Sequence, residues 1–238
     1  MNAAYDLHIH TCLSPCADND MTPNNIVNMA KLKGLDMIAV TDHNACGNCA
    51  AAMRVGGRAG LLVLPGMELC TAEDIHVVCL FCTLEGALAF EREVQKTLPP
   101  IPNRPDIFGE QLFLDENDEP TGSEERYLLA ASGIPVEQVP ALCRAHGGAA
   151  FPAHADKTAN GVLAVLGVLP AEAGFRAVEL SANCADAAAF VRENPSLRGL
   201  RVLRDSDAHM LGTIAEREHF LELERPGREE LVALLGGY

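Results

Sequence analysis

Short apolar runs that each end in a histidine or a carboxylate set the strongest limit on how this chain can fold. Residues 3–10 read as one β-strand that carries Asp6-Leu7-His8-Ile9-His10. Residues two apart in a strand point to one face, so His8 and His10 present two imidazoles side by side. That is half of a site for zinc, manganese or iron. The pattern recurs along the chain. Residues 35–41 lead into Asp42-His43-Asn44, residues 61–64 precede Glu68, and residues 149–152 precede His154. Residues 177–180 precede Asn183, and residues 200–203 precede Asp205, Asp207 and His209. Only the run 75–81 departs, with His76 at its start.

Helical signals lie between these runs. Thr22 is a suitable N-cap with Pro23 at the first helical position, and Gly34 is the stop. Further helices are expected over residues 83–98, from about 123, from 135 to 147, and over 228–235, with a hairpin near 115–120 and a last strand at 220–223. The stretch 99–133, opening on Pro99, Pro100, Pro102 and Pro105, reads as an irregular insertion or cap on a single domain spanning residues 1–238. Apolar strands alternating with helices imply parallel βαβ units. About seven such strands suit a closed or nearly closed α/β barrel, whose functional groups gather at the C-terminal ends of the strands. Six of the eight histidines obey that rule or lie beside it; His146 and His219 read as structural.

Composition narrows the function classes. The chain of 238 residues is 48% hydrophobic, enough for a full core, and no run approaches the ~20 apolar residues of a membrane span. No basic segment followed by an apolar stretch opens it, so no secretory leader is expected. Nine cysteines then fit a reducing, cytoplasmic setting with free thiols. Cys46 and Cys49 with Cys79 and Cys82 have zinc-ribbon spacing, but positions 79 and 82 face opposite sides of a strand, and buried small side chains explain them more simply. The net charge of −15 predicts a small phosphorylated substrate, a nucleotide included, and no long duplex nucleic acid.

The ordered set of motifs carries a resemblance. Asp6 to His10, Val40-Thr41-Asp42-His43-Asn44, Pro65-Gly66-Met67-Glu68, Ile75-His76-Val77, Pro152-Ala153-His154-Ala155-Asp156 and Asp205-Ser206-Asp207-Ala208-His209 resemble the successive motifs of the PHP family of metal-dependent phosphoesterases. The match runs from residue 3 to about 212. The resemblance implies a distorted (β/α)7 barrel with its metal site at the C-terminal ends of the strands. It also implies two or three divalent ions (Zn, Mn or Fe) and hydrolysis of a phosphate ester by a metal-bound hydroxide. By the same resemblance His8, His10, Glu68 and Asp207 hold one ion, and Glu68 bridges to a second held with His76 and His154. His43 and His209 hold a third. Glu68 and Asp207 are thereby the candidate catalytic carboxylates.

The first loop departs from the family, reading Ser14-Pro15-Cys16-Ala17-Asp18-Asn19-Asp20 where an Asp or His ligand is usual. Cys16, or else Asp18, is expected to complete the third site. Lys157 and, after it, Arg204 are the candidate phosphate contacts. Two alternatives stand beside the phosphoesterase: a non-catalytic metal-binding PHP module, and an amidohydrolase-like binuclear hydrolase. Glu68 in the bridging role, where those hydrolases often use a carbamylated lysine, counts against the second.

Overall fold

The computed structural model describes residues 2–225 and 227–237. Strand β1 (Asn2–Ile9) leads to helix α1 (Pro23–Leu32) and strand β2 (Met37–Val40). Helix α1 starts where expected, because the Thr22 hydroxyl accepts the Asn25 N–H and Pro23 fits the first turn. Helix α2 (Cys49–Ala59) precedes strand β3 (Leu62–Cys70), strand β4 (His76–Phe81) and helix α3 (Leu84–Gln95). The next segment holds the short helix α4 (Pro105–Phe108) and the hairpin β5 (Leu112–Leu114) and β6 (Pro120–Ser123). Then come α5 (Val139–Ala145), β7 (Gly148–Pro152), α6 (Val162–Leu166) and β8 (Ala177–Glu179). Finally, α7 (Ala187–Glu193), β9 (Arg201–Leu203), β10 (Phe220–Glu222) and α8 (Arg228–Gly236) end the fold.

Six strands form a curled sheet in the order β10-β1-β2-β3-β4-β7, and β8 pairs with β9 in parallel. Single backbone bonds carry the ring onward where ladders stop. Ala155 N–H donates to Glu179 O at 2.9 Å, and His10 N–H donates to Ala208 O at 3.0 Å. Strands β1, β2, β3, β4, β7, β8 and β9 thus surround one interior as a distorted seven-stranded barrel. The inner cluster is built from Tyr5, Leu7, Met37, Ala39, Leu64, Val78, Leu80, Phe151 and Leu203, with Leu231, Val232 and Leu235 of α8 packed into it. Strand residues of opposite parity, such as Ile38, Val40, Val63 and Val77, pack instead against α1, α2, α3 and α5. No helix among the described residues is long and apolar enough to cross a membrane.

Three local departures position the site. First, β3 does not stop at Leu64. It pairs parallel with β2 through Pro65, then antiparallel with β4 from Gly66 to Cys70. Pro-Gly reads as a turn in sequence; here it marks the point where the strand changes partner. A Cβ on Gly66 would come within 2.8 Å of Cys79 O, so only glycine fits that crossing. Glu68 therefore lies inside a strand rather than after one. Second, β4 runs against its neighbours, so its first residue, His76, arrives at the same mouth as the ends of the parallel strands. Third, the β1–β2 register shifts between Asp6 and Ile9. Tyr5 and Leu7 belong to the inner cluster and Ile9 to the outer one, so this bulge turns His8 and His10 inward.

The helix expected from residue 123 does not form. Gln111 takes its backbone groups instead: its side-chain amide donates to Glu124 O and Arg126 O at 2.9 and 2.6 Å, and its carbonyl accepts Leu128 N–H at 3.0 Å. Carbonyls held this way cannot serve a helical ladder. The whole segment docks on the first loop, where Leu112 N–H donates to Cys12 O at 3.0 Å and Asn48 bridges Thr11 and Leu112.

Candidate metal centre

Glu68 is the hub of the barrel mouth. Its Oε1 lies 2.9 Å from His76 Nδ1, 3.1 Å from His154 Nε2 and 3.3 Å from His8 Nε2. Its Oε2 lies 3.0 Å from His43 Nδ1 and 3.3 Å from His10 Nε2. Asp207 Oδ1 completes the inner set, 3.4 and 3.2 Å from the Nε2 atoms of His8 and His10, which are themselves 3.2 Å apart. Hydrogen bonds do not satisfy this crowd: His43 Nδ1, His154 Nδ1 and Glu68 Oε2 are buried without a hydrogen-bond partner. Buried lone pairs aimed at one another are costly without a cation between them. Imidazole nitrogen with carboxylate oxygen is the donor set of divalent transition metals.

Three groups have ligand atoms that all lie within 4.8 Å of one another: His8, His10, Glu68 and Asp207; His43, Glu68 and His76; and His10, His43 and His209. His43 is thus shared between the second and third groups, while His154 reaches the second through Glu68 Oε1.

Outer hydrogen bonds fix these rings. Glu179, fully buried on β8, accepts from His8 Nδ1 at 2.8 Å and from His154 N–H at 3.0 Å. Ser14 Oγ lies 2.9 Å from His10 Nδ1 and donates to Asp42, which also accepts from Thr11. Such partners orient ligating imidazoles. The backbone is strained here as well: His154, Asp207 and Asn44 have φ of 30°, 53° and 50°. Each costs on the order of 1–3 kcal/mol and persists only where surrounding bonds hold it. For Asn44 those bonds are to Leu128 O, Ala130 O and Cys70 N–H.

The electrostatics follow from burial and crowding. Burial alone would raise Glu68, but His76, His8 and His43 outweigh it and hold the carboxyl well below its usual range. Asp207 is lowered likewise, with His8 and His10 overcoming burial. Burial opposes protonation of His10, yet Asp207 and Glu68 lift it to about 9; His8 is raised well above its usual value by Glu179, Glu68 and Asp207. His43 is driven down to about 3 by burial, and His209 to about 4 by burial and His10.

The cleft above the cluster, about 210 Å³, is lined by His43, Glu68, His76, His154, Lys157, Asn160, Asp207 and His209. Lys157 Nζ contacts Asp207 Oδ2 at 2.5 Å. Arg204 is elsewhere. It lines a separate pocket with Lys33, Asp205 and His219 and donates to Ala182 O. Strand β9 ends at Leu203, so no strand alternation sets the direction of Arg204.

Neither Cys16 nor Asp18 joins a ligand group among the described residues. Asp18 is exposed, although its N–H ties the loop to His209 O at 2.9 Å. The Cys16 residue is exposed overall, but its thiol is desolvated and near enough to Glu68, Asp207 and Asp42 to be pushed up to about 12. Among the described residues, the donor that groups with His43 and His209 is His10. No cysteine enters a ligand group either: Cys46 and Cys49 both donate to Gly66 O, and all nine thiols are free. Sequence reasoning missed Glu179, Ser14, Asp42 and Asn44, whose partners are fixed only by the fold.

Comparison with known proteins extends this picture. The 5'-3' exoribonuclease Rnm of Escherichia coli is 34% identical over 98 residues, 39% of this chain and 32% of the relative. The 3',5'-nucleoside bisphosphate phosphatase of Chromobacterium violaceum is 32% identical over 76 residues, 32% of this chain and 26% of the relative. These matches cover well under two thirds of the relatives' own lengths. Endonuclease Q from Pyrococcus furiosus shares the fold at a TM-score of 0.74 and 19% identity, over 100% of this chain and 56% of that one.

A second Endonuclease Q structure, also at a TM-score of 0.74, is a complex with a 27-mer duplex substrate bearing an abasic lesion at the active site. The expectation of a small substrate and no long duplex is corrected by these findings. Net charge averages the whole surface, whereas a phosphate is gripped locally by bound cations. The PHP domain profile matches residues 6–139, and the family uses divalent metal ions. With more than half its length in that match and the full set of motifs around one mouth, this chain belongs to the PHP domain family.

Proposed function

We propose that the protein is a metal-dependent phosphoesterase that cleaves phosphate esters of nucleic-acid strands or nucleotides. The observation that carries this reading is the convergence of five imidazoles on Glu68, with Asp207 beside them and buried lone pairs unpartnered. His8, His10, Glu68 and Asp207 would hold one divalent ion, and Glu68 with His43, His76 and His154 a second. His10, His43 and His209 are the donors for a third. Such ions neutralise phosphate charge and acidify a water for attack. Zinc, manganese and iron all suit these donors.

The chain's own groups do the rest. Glu68 would be shared between two ions, and it keeps its charge because the imidazoles hold it ionised. Glu179 and Ser14 fix the ring planes of His8 and His10. Lys157 lines the open side of the cleft, where its ammonium can meet a phosphate oxygen while paired to Asp207. The similarity to an exoribonuclease and to a nucleoside bisphosphate phosphatase supports a substrate among nucleotides and nucleic acids, and nine free thiols fit the cytoplasm.

The test is a panel of end-labelled single-stranded RNA and DNA, a duplex with an abasic site, and nucleoside mono- and bisphosphates, each with and without chelator. At least one should be cleaved, cleavage should stop on chelation, and Glu68→Gln should lower turnover by orders of magnitude with the fold intact. Protein shown by elemental analysis to hold two or more ions, yet inert on the whole panel, would overturn the reading.

A further inference from the structure

The segment between α3 and α5 leaves apolar surface in water beside the cleft. Helix α4 buries none of its residues. Ile107 is 59% exposed, Phe108 38%, and Ile101, whose carbonyl accepts the Tyr127 N–H, 45%. The Phe108 ring lies 4.3 Å from that of Tyr127, inclined at 36°. Aromatic residues are scarce in this chain, at 5% with no tryptophan. A contiguous apolar patch of this kind marks a binding surface.

The patch is fixed at the barrel mouth. Gly109, directly after Phe108, has φ of 98° and lies so near Pro15 O that a Cβ would come within 2.2 Å. Pro15 belongs to the loop that touches the ligand cluster at two points: Ser14 Oγ lies 2.9 Å from His10 Nδ1, and Asp18 N–H donates to His209 O at 2.9 Å. This loop thus links the ligand cluster to Gly109 and the adjoining Phe108 and Tyr127 rings.

We propose that Phe108 and Tyr127 form a stacking platform for a nucleobase whose phosphate sits in the cleft. This rests on the phosphoesterase reading above. The occupant needs a flat apolar face and a negative charge displaced toward the cations, which is the build of a nucleotide. The cation nearest Phe108 in sequence, Arg104, is already paired with Asp106 at 2.8 Å, so the platform favours a base over backbone. Stacking tolerates every base because each has a π-face. The platform therefore distinguishes base-bearing from abasic substrates without selecting base identity.

The test uses Phe108→Leu and Tyr127→Leu, singly and together, which keep apolar bulk and remove the rings. Steady-state kinetics on metal-loaded protein compare a nucleoside 3',5'-bisphosphate with the abasic 2-deoxyribose bisphosphate of equal charge. The double variant should raise KM for the first on the order of tenfold and leave kcat, and both constants for the second, unchanged. Equal effects on the two substrates, or none, would overturn the platform.

Binding gives an independent readout. Without tryptophan, tyrosine emission is unmasked. A non-hydrolysable nucleoside 5'-phosphonate should quench it in the wild type and not in Tyr127→Leu. Should the wild type hydrolyse neither bisphosphate, the phosphoesterase reading is decided by the panel above, and this quenching alone decides the platform: its presence supports it and its absence overturns it. A dimer-to-monomer change in the variants on sedimentation would make the patch a self-association surface and also overturn it.

Discussion

Glu179 shows what one residue contributes without touching a substrate. It binds the imidazole of His8 and the backbone of His154, ligand candidates that both reach Glu68 Oε1. Outer partners of this kind typically change metal affinity 10–100-fold. Glu179→Gln keeps the size but supplies only one acceptor, so metal affinity should fall by about that factor while the circular dichroism spectrum holds. Competition with a chelating dye measures it, and unchanged affinity would reduce Glu179 to a filler. Most of the inner residues were legible in the sequence because they lie in or just after apolar runs, and β-strand alternation puts His8 and His10 on one face. Glu179 was not, since a lone glutamate in a short apolar run names no partner, and His8 lies 171 residues away. Arg204 follows the end of β9 at Leu203, where no periodicity in the sequence sets a side chain's direction.

Among elements, the strands were largely legible and the segment from 99 to 133 was not. Strand runs announce themselves by unbroken burial, as in β2, where every residue is buried. The tract from Glu124 to Ala131 has helical composition, yet Gln111 draws its carbonyls and one N–H into tertiary bonds. Those bonds are the element's anchor. Gln111→Leu leaves three backbone groups without their partner, at about 1–3 kcal/mol of local stability. Hydrogen exchange at residues 124–128 should then quicken about tenfold or more, with the amides of β1 to β3 unchanged. Equal acceleration in both regions would mean that the segment unfolds only with the barrel. The antiparallel course of β4 was equally hidden, although His76 at the start of its run was the sign of it.

For the whole molecule, the buried cluster sets a pH dependence that reverses with metal. Folding raises His8 well above the usual imidazole value of about 6.5 and His10 to about 9. Their stabilisation is full below about pH 6.5 and is lost as pH rises through about 9. His43 and His209, at about 3 and 4, are neutral in the fold throughout that window and add only a small opposing rise near pH 6.5, where the unfolded imidazoles are still half protonated. In chelator, the melting temperature should therefore fall from pH 6.5 to 8.5. With saturating manganese it should rise, because ligation needs neutral imidazoles and binding stabilises the fold. Falling curves in both conditions would remove His8 and His10 from the ligand set. The ring closure has a kinetic consequence. Glu68 and His76, eight residues apart in one hairpin, meet at little entropic cost. Leu7 and Asp205, which bring the first and last ligand pairs together, are 198 apart. Between four and five doublings of loop length separate the two, about 3 kcal/mol of closure entropy. Half the cage can thus assemble early as a local hairpin, while the other half waits for the two far reaches of the chain to find each other. An ion held there acts as a clasp, and its capture is the event that marks the end of folding.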